Sequence, residues 1–223
     1  MPDGQYSFYL HSDDRTDIAA MATISTISQP LRGEFIRTAA TAGAVVYQVD
    51  ARLPALIPVF FAGQLSAVRL CAVMALVSGT WSSLTGLPDE PENGEAALPV
   101  SPETEYQRRR YTLTLQNGRS GERVESVLTE ASSRLRGDLL RNLIITGLAL
   151  HTTAPELPRL LASMPVPPTS VSELQALVQQ MAGTADVSRA AAAVPDKPAT
   201  SAVPVSGSDT REIKKNMRRA FGD

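Results

Sequence analysis

Cysteine occurs once, at Cys71, which excludes an internal disulfide and any cluster of thiolate metal ligands. Histidine occurs twice, at His11 and His151, with no cysteine partner and no HExxH-like spacing. No glycine-rich loop ends in Gly-Lys-Ser or Gly-Lys-Thr, so nucleotide hydrolysis has no motif to carry it. No enzymatic activity, metal or cofactor is therefore expected. The two histidines read as structural or contact groups, and Cys71, beside Leu70, Val73 and Met74, reads as core packing. Aromatic residues are scarce at 5%, so the helices must pack with Ala, Leu, Val and Ile, which suits close helix pairing better than an enclosed pocket. The most apolar run, Leu53 to Val77, is broken by Pro54, Pro58, Gln64 and Arg69 and is too interrupted to supply the ~20 apolar residues of a membrane span. Met1-Pro2-Asp3-Gly4 has neither a basic stretch nor an apolar core, so no secretory signal and a cytoplasmic location are expected. Excess positive charge is absent too: the formal charge is -2, against nucleic-acid binding by global attraction. Much of the negative charge lies between Gly86 and Tyr106, where six acidic residues occur without Lys or Arg.

What is present is a repeat. Tyr6-Ser7-Phe8-Tyr9-Leu10-His11 and Tyr111-Thr112-Leu113-Thr114-Leu115-Gln116 both alternate apolar and polar residues, the pattern of a half-buried strand. Placing Gly33 on Gly137 superposes Ser28 on Ser132, Leu31-Arg32 on Leu135-Arg136, Arg37 on Arg141, Gly43 on Gly147 and Leu53-Pro54 on Leu157-Pro158, a constant offset of 104. The strands need 105, so one residue is gained or lost in the first helix or its flanking turn. Each copy reads strand, helix, helix: Asp13 or Asp14 caps the first helix of copy one, Ser120 marks that of copy two, and Ser28 and Ser132 are the predicted N-caps of the second helices.

The remaining chain divides by composition. Residues 1–85 hold the first unit, with the second helix ending near Gln48 and further helices over Arg52 to Gly63 and Leu65 to Ser78. Residues 86–107 form an acidic, Pro-rich linker. The second unit spans 108–183, entered through Arg108-Arg109-Arg110, with later helices over Leu157 to Ala162 and Ser172 to Met181 separated by a Pro-rich turn. Residues 184–208, rich in Ala, Val, Pro, Ser and Gly, read as a flexible tether. In the tail, 209–223, Ile213, Met217, Ala220 and Phe221 form one helical apolar stripe bordered by Lys214, Lys215, Arg218 and Arg219.

A strand with two helices cannot stand alone, because it leaves backbone groups unpaired and a helix face open. Two units pairing their strands antiparallel remove both problems and create a two-stranded ribbon that fits the DNA major groove. The expected fold is mainly α with short strands, a tandem ribbon-helix-helix arrangement with additional helices. One matched strand per copy and the long linker favour pairing within one chain, although pairing between chains uses the same residues. Phe8, Leu10, Leu113 and Leu115 should face the core. Ser7, Tyr9, His11, Thr112, Thr114 and Gln116, with Arg110 leading into the second strand, should face the groove. Arg32 and Arg136, at the starts of the second helices, are placed to meet phosphate, where free backbone N–H groups already favour an anion. A solvated amphipathic hairpin is the simpler reading of one strand alone; the repeated Arg-Gly spacing argues for DNA.

The segments Gly33 to Ala40, Ala42 to Tyr47, Asp50 and Arg52-Leu53-Pro54 resemble the core of ParR-type plasmid partition adaptors, and Glu212 to Met217 looks like their charged C-terminal peptide. The resemblance implies a bacterial, plasmid-associated protein that binds centromere-like double-stranded DNA repeats, self-associates into higher-order arrays on them, and captures filaments of the actin-like ATPase ParM. On this reading Ile213, Lys214, Met217, Arg218 and Phe221 contact the motor. A typical member carries one core and dimerises, whereas this chain carries two. A ribbon-helix-helix repressor or relaxosome accessory protein shares the cores but needs no tethered basic helix.

Overall fold

The computed structural model describes residues 4–80 and 107–192, with side chains up to 183. The acidic linker apart from Gln107, the tether from 193 onward and the whole tail, including Ile213, Lys214, Met217, Arg218 and Phe221, lie outside the described residues.

Each copy begins with a strand, β1 over Gln5–His11 and β2 over Arg108–Thr114, and the two pair antiparallel. Copy one continues with α1 (Arg15–Ser25), α2 (Arg32–Val49), a short α3 (Leu53–Leu56) and α4 (Ala67–Ser78). Copy two repeats this with α5 (Arg119–Glu130), α6 (Arg136–Thr153), α7 (Leu157–Ser163) and α8 (Val171–Ala192). The ribbon covers one side of the helices, and buried residues of both copies belong to a single hydrophobic cluster running from Phe8 to Val178. Neither copy has a core of its own.

Several local predictions need correction. The second strand is three residues earlier at its start than the alternation at Tyr111 suggests, because Arg108 and Arg110 find partners opposite His11 and Tyr9. Ser28 does not cap α2. Its carbonyl instead accepts from Leu31 N–H at 3.0 Å, opening a 3-10 turn over Gln29–Leu31, and the Ser132 carbonyl accepts from Leu135 N–H at 2.9 Å in the same way. Asp14, by contrast, caps α1 as expected, accepting from Asp17 N–H at 2.9 Å. The single helix expected over Arg52 to Gly63 breaks into α3 and a 3-10 turn, Ile57–Phe60. Pro58 is the reason, since it has no N–H to continue the ladder; copy two has Ala162 there and α7 runs on. The helix expected to end at Met181 continues as α8 to Ala192, through Gly183 and into the segment read as tether. The run Gly183 to Ala192 contains four alanines and no proline to stop the helix, the next proline being Pro195.

The one-residue difference between the strand and helix offsets falls in the turn before the first helix. Arg15 and Arg119 start α1 and α5 at the helix offset, while His11 and Gln116 are related by the strand offset. Copy two therefore turns one residue tighter. There Gly121 lies so close to the Gln116 backbone that a Cβ would collide with its carbonyl. In the wider turn of copy one the equivalent residue, Asp17, is fully buried, and its carboxylate accepts His11 N–H at 2.9 Å.

The helices that hold the ribbon in place are α2 and α6, which cross at the repeated glycine. A Cβ on Gly43 would strike the backbone of Leu143, and one on Gly147 would strike that of Ala39, the residue equivalent to Leu143. The conserved spacing within the repeat thus marks a helix crossing in which two backbones touch, as the scarcity of large side chains suggested.

Candidate nucleic-acid interface

Ser7 lies opposite Thr112 in the ladder, and the strand offset makes these two residues equivalents of each other. A pseudo-two-fold axis therefore passes through this pair. The remaining outward pairs are Gln5 with Thr114, Tyr9 with Arg110, and His11 with Arg108. Because side chains alternate across a strand, Phe8, Leu10, Tyr111 and Leu113 point the other way, and Phe8 stacks on Tyr111 with ring centroids 5.2 Å apart. Phe8 and Leu10 are fully buried and hold the ribbon on the helices.

The outward face contains eight residues able to donate or accept hydrogen bonds, and none is a carboxylate. Arg110 donates from Nε and Nη2 to Ser7 Oγ at 3.2 and 2.9 Å, which aligns its guanidinium along the ribbon. The Arg108 guanidinium carbon sits 3.5 Å from the centroid of the Tyr9 ring, a cation–π contact that limits the motion of both side chains. Arg108, Arg110, Thr112 and Thr114 are exposed, and Ser7, Tyr9 and His11 are partly so.

Of the residues expected on this face, Ser7, Tyr9, His11, Arg110, Thr112 and Thr114 are brought together. Gln116 is exposed but lies beyond the end of β2. Gln5 and Arg108 were missed. Their signal was parity: each continues the polar positions of its strand by one step, and Arg108 belongs to the arginine run through which the second unit is entered.

Arg32 and Arg136 are positioned as the repeat requires but are not simply solvated. Arg32 donates from Nε to the Ile27 carbonyl at 2.8 Å and from Nη2 to that of Ser25 at 3.2 Å, and Arg136 Nε donates to Ala131 at 3.2 Å. Each therefore closes the end of the preceding helix, where carbonyls lack intrahelical partners, before it can meet any phosphate. Beside them Leu31 and Leu135 are exposed, 61% and 58%, at equivalent positions. Arg32 also lies near Tyr111 and Arg136 near Tyr6, where each opposes the upward shift that burial causes in the phenol pKa.

Two clefts flank the ribbon at equivalent places. One, of about 500 Å³, is lined by Tyr9, His11, Asp14, Asp17, Arg108 and Arg141 among others. The other, of about 320 Å³, is lined by Arg37, Gln116, Asn117, Arg119 and Gly121 among others. In the first, Arg141 Nε donates to Asp17 Oδ1 at 2.7 Å, joining α6 of copy two to α1 of copy one. Burial pushes the Asp17 carboxyl above its ordinary pKa, against the pull of His11 N–H and the Arg141 guanidinium. The equivalent Arg37 has no such partner in copy two and pairs with Glu34 one turn away. Among the described residues no group of His, Cys, Asp and Glu could hold a metal ion, and no helix is long and apolar enough to cross a membrane.

A two-stranded ribbon made by two strand-helix-helix copies around one axis defines a ribbon-helix-helix protein, here with both halves in one chain. The chain belongs to the plasmid stability protein family, whose model matches it twice, over residues 4–74 and 109–178, together more than half its length. The two matches coincide with the two structural copies. No curated protein and no solved structure matches the chain.

Proposed function

We propose that this protein is a ParR-type plasmid partition adaptor, which lays its ribbon in the major groove of centromere-like DNA repeats and captures ParM filaments through its C-terminal tail. The observation that carries the reading is the outward face of the ribbon. It collects Ser7, Tyr9, His11, Arg108, Arg110, Thr112 and Thr114 without a carboxylate, in a chain whose formal charge is otherwise negative. Such a face is suited to base edges, and a two-stranded ribbon has the width of the major groove. Arg32 and Arg136, with the open N-terminal turns of α2 and α6, would then meet the flanking phosphates, and the exposed Leu31 and Leu135 would lie against the sugars. The plasmid stability family supports a role in plasmid maintenance. Arrays of chains on repeated sites would present many tails at once, raising their effective concentration at a filament end.

The test uses overlapping duplexes tiled across the plasmid region around the protein's own gene. The full chain should bind some of them more tightly than random duplexes, with affinity falling steeply as salt rises. Removing residues 209–223 should leave DNA affinity nearly intact while abolishing co-sedimentation with the cognate actin-like filament. Equal binding to every duplex would contradict the DNA part, and full filament capture by the truncated chain would contradict the motor part.

A further inference from the structure

The pseudo-two-fold axis through Ser7 and Thr112 exchanges positions but not chemistry. It maps Arg110 onto Gln5, Tyr9 onto Thr114 and His11 onto Gln116. Both outward arginines of the ribbon, Arg108 and Arg110, therefore lie at one end, together with Tyr9 and His11. The opposite end carries Gln5 and Thr114. In a dimer of identical chains the two ends would be identical and the bound half-sites would mirror each other. Fusion of the copies removes that constraint.

Both arginines are held by contacts within the ribbon. Arg110 is held by two hydrogen bonds to Ser7 Oγ, and Arg108 by the face of Tyr9. A guanidinium presented in the major groove pairs in bidentate fashion with guanine O6 and N7, whereas a glutamine amide pairs with adenine N6 and N7. Resting on the reading of the ribbon as a DNA interface, we propose that this chain recognises a non-palindromic site in one fixed orientation. The guanine-bearing half lies under Arg108 and Arg110, and the half without that preference lies under Gln5 and Thr114. Direct repeats of such a site load successive chains facing the same way along the DNA.

The experiment is selection of bound sequences from a library of duplexes randomised over 20 base pairs, using the full chain, which for a site of two short half-sites is about twice the length needed. The expected consensus lacks two-fold symmetry and has guanine enriched in one half only. R110Q should reduce guanine preference in that half by roughly tenfold and leave the other half unchanged. Q5R, which places arginine on both sides of the axis, should give a consensus with guanine in both halves. A palindromic consensus from the unaltered protein, or loss of preference in both halves on R110Q, would overturn the fixed orientation while leaving DNA recognition standing. Absence of any enriched sequence would overturn both.

Discussion

Thr146 lies fully buried in α6, and its hydroxyl is the buried side-chain polar atom without a hydrogen-bond partner among the described residues. The equivalent position in α2 is Ala42, also fully buried, so the site has no need of a polar group. Removing an unpaired buried hydroxyl while keeping the shape relieves its desolvation cost, so Thr146→Val should raise unfolding free energy by about 1 kcal/mol in urea titration. Asp17 is the opposite case. It is buried but satisfied by His11 N–H and Arg141. Asp17→Ala leaves the His11 amide without this acceptor and the Arg141 guanidinium with only the partly exposed Asp14 and Asn142, so it should cost about 3 kcal/mol, and adding Arg141→Met should recover part of the loss. Asp50 makes a third, pH-dependent contribution. The Arg52 side chain donates to its carboxylate at 3.0 and 2.7 Å and holds the Asp50 pKa below the usual carboxylate range. With a native pKa lower than the unfolded one, the stabilisation is present above the ordinary carboxylate value and disappears as pH falls through the native value. The advantage of the unaltered protein over Asp50→Asn should therefore be constant near neutrality and shrink in acid, as read from denaturation midpoints between pH 2 and 7 at about one-unit steps.

Among the elements, α2 and α6 decide how the two copies fit. At their crossing, Gly43 and Gly147 meet backbone rather than flexible side chains, so no rotamer change can make room for a methyl group. Gly43→Ala and Gly147→Ala should each destabilise by about 1 to 3 kcal/mol despite alanine's better helix propensity, because forcing the helices apart costs more than the ~1 kcal/mol that propensity returns. Gly33→Ala is the control. Around it a Cβ would find only the Arg37 guanidinium at 3.8 Å, so the same exchange in the same helix should be neutral or stabilising in thermal denaturation. Contacts between elements repeat with similar fidelity. Thr16 Oγ1 donates to the Pro58 carbonyl at 3.1 Å, and its counterpart Ser120 donates to Ala162 at 3.3 Å.

At the scale of the molecule, a shared core makes the connection between the copies dispensable once they have folded together. The buried cluster includes residues from both copies, and the ribbon needs one strand from each. A protease site inserted between Glu95 and Ala96 and cut after folding should leave the two fragments co-eluting in size exclusion, and they should separate only when the core is denatured. The intact chain should have the mass of one polypeptide per ribbon in sedimentation, because β1 already has its partner in β2.

Much of this was readable from residues close together in sequence. Alternation along Tyr6 to His11 and Tyr111 to Gln116 marked both strands and their inward faces, and the spacing of Ser28, Arg32, Gly43 and Pro54 found its echo at Ser132, Arg136, Gly147 and Pro158. Those signals depend on local periodicity and on backbone preferences, which each residue carries with it. The ends of β2, the occupation of Arg32 and Arg136 by helix-end carbonyls, the ion pair of Asp17 with Arg141, and the division of outward side chains into an arginine end and a glutamine end were decided only in the folded chain. Arg32 and Arg136 reach carbonyls a few residues back, through turns whose course the helix packing decides; the other three depend on which residue from about one hundred positions away arrives opposite, and antiparallel register is set by pairing and packing of both strands together rather than by either strand's own pattern.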